Sequence, residues 1–139
     1  MITSIVNYKK NLRTEATHIA SNHVIISDAP IDNMGKGEAF SPTDCCATSL
    51  AMCGLTIMGI YLQHKPYEFI VARAEVEKIM GVNPRRIVRI NVDYFLQMSE
   101  ELSELESQKL FQAAKSCPVA HSLHPDIEQN ITFHFEHNY

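Results

Sequence analysis

The sequence predicts an α+β domain in which antiparallel sheets surround one long buried helix. Three observations carry this. Six stretches read as strands, a single run from Cys45 to Leu62 holds no charged residue, and 139 residues, 45% of them apolar, suit one domain spanning 1–139. No internal repeat, low-complexity run or linker divides the chain.

Residues 2–9 and 12–19 read as short strands with KKN between them, and HVIISDAP at 23–30 supplies a β-branched third strand that ends at Pro30. Together they form an antiparallel meander. The glycine-bearing stretch IDNMGKGEAF is a loop leading to the sequence SPTD, which has the pattern of a helix start. Ser41 is the N-cap, Pro42 takes the first helical position, and Asp44 is the capping-box acid. Further on, 68–79 (EFIVARAEVEKI) and 86–97 (RIVRINVDYFLQ) alternate around the turn-like GVNPR and predict a hairpin. Residues 99–115 carry Leu102, Leu105, Leu110 and Phe111 on a helical stripe, with acidic residues in the first turns. A short helical piece starts at Pro118, and ITFHFEH at 131–137 alternates as a closing strand.

The eighteen positions from Cys45 to Leu62 reach the length of a membrane span. Thr48, Ser49 and Thr56 interrupt them, basic flanks are poor, and both neighbouring halves read as soluble sheet, so a buried soluble helix is expected and no membrane partner. A half-covered sheet in a chain this short cannot surround such a helix, which predicts a homodimer. Ala47, Ala51 and Gly54, at i, i+4 and i+7, offer a small-residue seam for a second helix. The formal charge of -4 and scattered Lys and Arg argue against nucleic acid. The first residues lack the pattern of a secretory signal, so a cytoplasmic, reducing setting is expected.

In that setting four cysteines are packed thiols, metal ligands or nucleophiles. Cys45 and Cys46 point in different directions with nothing nearby in sequence to activate them, and read as core thiols. Cys46 and Cys53 share a face but stand about 10 Å apart along the axis, too far for a disulfide. Cys117 precedes a proline-started helix, where unpaired N–H groups favour a thiolate, and His121 lies one turn on. A metal site from Cys117, His121, His124 and His134 lacks the paired-cysteine knuckle of structural zinc, so no metal and no cofactor is expected.

The order and spacing of LRTEATH, the helix opening SPTD, Cys53 ten residues after Thr43, and a late CPVAH resemble the OsmC/Ohr family of thiol-dependent peroxidases over essentially the whole chain. The resemblance implies an intertwined homodimer and a site built from both subunits. It implies that Cys53 is the peroxidatic cysteine, Cys117 the resolving one, and Arg13 the cation that holds peroxide and compensates a desolvated thiolate. Organic hydroperoxide would be the substrate, favoured by an apolar wall of Met52, Leu55 and Met58, and a dithiol such as a lipoyl-linked protein the reductant. In the hydroperoxide-reducing branch a glutamate follows the helix-opening proline. This chain has Thr43 there, which marks an OsmC-like branch in which Asp44, Glu38 or Glu15 would orient Arg13. The alternative is a binding or stress-response protein that keeps the fold with weak or no turnover.

Overall fold

Ser41 and Asp44 open the long helix by a reciprocal capping box. The Ser41 hydroxyl accepts the Asp44 N–H at 3.0 Å, and the Asp44 carboxylate accepts the Ser41 N–H at 3.0 Å. From there α1 runs Pro42–Leu62. A computed structural model describes residues 1–137, which fall into two compact units, Met1–Cys46 and the chain from Ala47 onward.

The first unit is the expected meander: β1 (Ser4–Lys10), β2 (Arg13–His18) and β3 (Val24–Asp28), antiparallel and in that order. Lys10, Asn11 and Leu12, with φ of 81, 53 and 62°, make the β1–β2 turn. Such values are costly for leucine, so the turn must be held from outside. The Ala29 N–H donates to the Leu12 carbonyl at 3.0 Å, and the Leu12 N–H donates to the Tyr8 hydroxyl at 3.2 Å. β1 is exposed along its length. Because neighbours on a strand face opposite sides, exposed Ile5 with Val6, and Val24 with Ile25, leave both faces of this sheet apolar.

In the second unit β4 (Phe69–Gly81) and β5 (Arg86–Met98) form the expected hairpin. The chain then passes through α2 (Glu104–Lys115) and α3 (Pro118–Ser122) to β6 (Glu128–Phe135). This helical crossover returns β6 parallel to β5, so the second sheet is mixed rather than wholly antiparallel. Ile90, Val92, Tyr94 and Leu96 alternate inward from β5 into one core with Leu50, Met58 and Leu110. α2 begins at Glu104 rather than at 99, because the Ser103 hydroxyl caps it by accepting the Glu106 N–H at 3.1 Å. Leu102 therefore precedes the helix, and Leu105 is 60% exposed instead of lining the apolar stripe.

Within one chain α1 is covered on one face, and the expectation for its small-residue seam needs correction. Its buried residues, Ala47, Leu50, Ala51, Gly54, Met58 and Leu62, occupy one face, while Met52, Thr56 and Ile60 form an exposed stripe at i, i+4 and i+8. By length and composition alone it passes for a membrane-crossing helix, although its inner face packs in the β5 core. The small-residue seam is also occupied from within. A methyl group at Gly54 would overlap the Tyr94 hydroxyl oxygen and stand 2.8 Å from Cζ of the same ring, so Gly54 admits a tyrosine and not a second helix.

Candidate functional site

In the first unit the hairpin register that sets Thr17 opposite Val24 also sets Arg13 opposite Asp28. The guanidinium meets that carboxylate in a fork: Nε donates to Oδ1 at 2.7 Å and Nη2 to Oδ2 at 2.8 Å. Nη2 donates also to Glu38 Oε2 at 3.0 Å, and the Glu38 N–H donates to Asp28 Oδ2 at 3.1 Å. Asp28 is only 1% exposed, and the Arg13 bond, ahead of any other influence, holds its carboxyl below the usual carboxylate range. The same bonds, Asp28 first and Glu38 next, push the guanidinium further up. Nη1 is the nitrogen that these bonds leave unused.

Asp28 escaped the sequence reading; its signal was the pairing of the first residue of β2 with the last of β3. Glu38 contacts Arg13, whereas Glu15 sits opposite Ile26 and Asp44 is engaged by the Ser41 cap. The Thr43 hydroxyl lies 3.3 Å from that of Ser41. Cys46 is exposed, not a core thiol, and Cys45 is half-buried.

The second unit holds the two cysteines singled out above. Cys53 is half-buried on α1, and Cys117 is fully buried as the N-cap of α3, its sulfur accepting the Ala120 N–H at 3.4 Å. Cys53 packs against the buried cluster that contains Cys117, near enough to influence its thiol. The expectation that the cap would make Cys117 acidic is overturned. Burial, the largest influence, pushes its thiol up, neighbouring Cys53 adds to this, and the Ala120 and Val119 N–H groups counter only part. Cys117 is therefore held against ionisation rather than toward it.

Tyr94, which sequence reasoning passed over, completes this neighbourhood. It is 0% exposed on β5, and its hydroxyl has no hydrogen-bond partner among the described residues. Burial first, then the charges of Cys117 and Cys53, drive the phenol pKa upward, so the hydroxyl remains a donor.

Other named residues lie elsewhere. His121 is exposed, and its link to Cys117 is a backbone bond from its N–H to the Cys117 carbonyl at 3.2 Å. His124 accepts the Asp126 N–H, and His134 stacks on Phe95 and bonds Asp93 at 2.9 Å. Among the described residues no three His, Cys, Asp or Glu side chains are grouped to hold a metal ion. Met52 is 62% exposed and Met58 buried, so with Leu55 they do not form one wall.

Residues 35–132 match the family model described as OsmC-like protein. No curated protein matches the chain. Among solved structures, a protein of Psychrobacter arcticus provisionally described as an osmotic stress induced and detoxification response protein is 46% identical, with a TM-score of 0.91 over 96% of both chains. The organic hydroperoxide resistance protein OsmC of Legionella pneumophila is 14% identical, with a TM-score of 0.69 over 96% of this chain and 98% of its own. The organic hydroperoxide resistance protein OhrB of Bacillus subtilis, also 14% identical, gives 0.59 over 95% and 98%. These last two likenesses show the fold.

Proposed function

The chain belongs to the family of OsmC-like proteins, and on that premise we propose that it reduces organic hydroperoxides with a cysteine pair. Two solved structures that share the fold are named as organic hydroperoxide resistance proteins, which supports a peroxide-stress role. The observation that carries the finer reading is that Cys53 on α1 packs against the same core cluster that holds Cys117 at the start of α3, and influences its thiol. The Cys53 thiolate attacks one peroxide oxygen, the O–O bond breaks, and the alkoxide leaves as alcohol after taking a proton. The sulfenic acid left on Cys53 condenses with Cys117 to a disulfide and water. A dithiol, a lipoyl-linked protein among the candidates, returns the pair to thiols. By its match to the family motif, Arg13 receives the task of favouring the thiolate and holding the peroxide.

The same reading takes the protein to be a cytoplasmic homodimer. Support for the dimer comes from the two-sided apolar exposure of β1–β3 and the bare stripe of Met52 and Ile60 on α1, surfaces a second copy would cover. Light scattering at micromolar concentration should give twice the chain mass. A well-folded monomer would contradict it.

A second reading, a binding protein with weak turnover, is favoured by the Arg13 cluster, where two carboxylates offset one guanidinium. Titration with cumene hydroperoxide, followed by mass spectrometry, separates the two. The peroxidase reading expects a Cys53–Cys117 disulfide in the wild type and no oxidation in Cys53→Ser. Cys117→Ser should consume about one equivalent, then carry sulfenic and later sulfinic acid on the Cys53 peptide. Wild-type protein that leaves the hydroperoxide intact would falsify it.

A further inference from the structure

Buried phenol hydroxyls are almost always hydrogen-bonded, because a stranded donor loses its water without replacement. Tyr94 departs from that rule: fully buried, its hydroxyl finds no acceptor among the described residues. Nor can the ring turn away. Its face stacks on Phe133 at 5.2 Å and 17°, the residue paired with it across β5 and β6, and its hydroxyl end fills the space left by the absent side chain of Gly54. Gly54 directly follows Cys53, and the phenol feels the charge of both Cys117 and Cys53. A rigid, unused donor is thus held at the thiol pair.

We propose that Tyr94 is the hydrogen-bond donor for the step that closes the Cys53–Cys117 disulfide. The inference rests on the peroxidase reading above. While both cysteines are thiols, sulfur is a weak acceptor and the phenol stays unpaired. Once a hydroperoxide has oxidised Cys53, the sulfenic acid adds an oxygen that can accept the Tyr94 O–H. In the next step the Cys117 sulfur attacks the Cys53 sulfur, the S–S bond forms, and the S–O bond breaks with its electron pair going to oxygen. The departing hydroxide combines with the proton released by Cys117 and leaves as water. Tyr94 stabilises the charge developing on that oxygen and keeps its own proton at the end. The role matters here because Cys117, pushed up by burial, gives its proton reluctantly. A better leaving group compensates for a weaker attacking thiol.

The test is stopped-flow mixing of reduced protein with cumene hydroperoxide, with dimedone trapping of the sulfenic acid and mass spectrometry of the disulfide. Tyr94→Phe removes the hydroxyl and keeps the Phe133 stack. Expected are an unchanged rate of sulfenic acid formation, disulfide closure slowed at least tenfold, and strong dimedone labelling of Cys53. Protein with 3-fluorotyrosine at position 94 restores the donor and should close the disulfide at no less than the wild-type rate. A Tyr94→Phe variant that closes its disulfide at the wild-type rate overturns the proposal and leaves the peroxidase reading intact. So does equal slowing of both steps with the fluorotyrosine protein no faster than Tyr94→Phe, since hydrogen bonding would then not be the cause. A wild-type protein that never forms the sulfenic acid overturns both.

Discussion

The Arg13 cluster and the Cys53–Cys117 neighbourhood solve opposite problems. In the first, charge is saturated: one guanidinium gives its Nε and Nη2 to two carboxylates, one of them buried. In the second, two thiols and a phenol share an apolar core, and the strongest donor has no partner among the described residues. A saturated cluster holds a shape, whereas an unsaturated one is ready to gain an atom. The difference teaches that the residue most conspicuous by charge need not be the one most poised to act.

Four measurements sharpen or break this contrast, the largest expected effect first. Arg13→Met removes the cation that the family motif assigns to the peroxide, and the first oxidation of Cys53 at neutral pH should slow on the order of a hundredfold. An unchanged rate would reduce Arg13 to a structural role and leave the thiol region to act alone. Gly54→Ala forces a methyl group into the Tyr94 hydroxyl and should cost about 1–3 kcal/mol in urea unfolding. A neutral result would mean that α1 shifts freely on β5.

Next, the two regions should weaken at opposite ends of the pH scale. The Asp28 carboxyl is held low in the folded protein, so its contribution is complete above the ordinary carboxylate value of about 4 and is lost as acid protonates it. The Cys117 thiol is held high, so its contribution is complete below the ordinary thiol value of about 8.5 and is lost as base ionises the unfolded chain first. Melting curves across pH should lose their acid limb dependence in Asp28→Asn and their alkaline dependence in Cys117→Ala. Swapped dependences would refute the assignment. The smallest effect belongs to Tyr94→Phe, which deletes a buried hydroxyl unpaired among the described residues and should leave stability within about 1 kcal/mol of wild type, on the favourable side. A large loss would reveal a partner for that hydroxyl.

Local chemistry was legible in the chain. Ser41 with Asp44, and Cys117 before Pro118, announce their caps within four residues, and both caps form. The hairpin around GVNPR and the amphipathic helix after it were equally plain from periodicity, whereas the parallel return of β6 was not. What stayed hidden depends on contacts between distant segments. Asp28 looked like a strand end, because only the β2–β3 register brings it to Arg13. Tyr94 looked like one apolar position among several in RINVDYFLQ, since whether its hydroxyl is paired depends on what α1 and α3 place around it. Helix polarity misled as well. A cap favours a thiolate in isolation, yet the burial of Cys117 outweighs it. The start of α2 was read too early because acidic residues are common both before and inside a first turn, and only the Ser103 hydroxyl distinguishes the two.

The Gly54–Tyr94 contact also acts as a gauge. On the buried face of α1, Gly54 is the position without a side chain, flanked one turn away on either side by Ala51 and Met58. Sliding the helix by one turn, about 5.4 Å, would drive one of those side chains into the phenol. The helix can therefore seat in only one axial register on β5. That register sets how far Cys53 stands from Cys117, so a tyrosine in the sheet fixes the span that the proposed sulfur–sulfur bond would have to close.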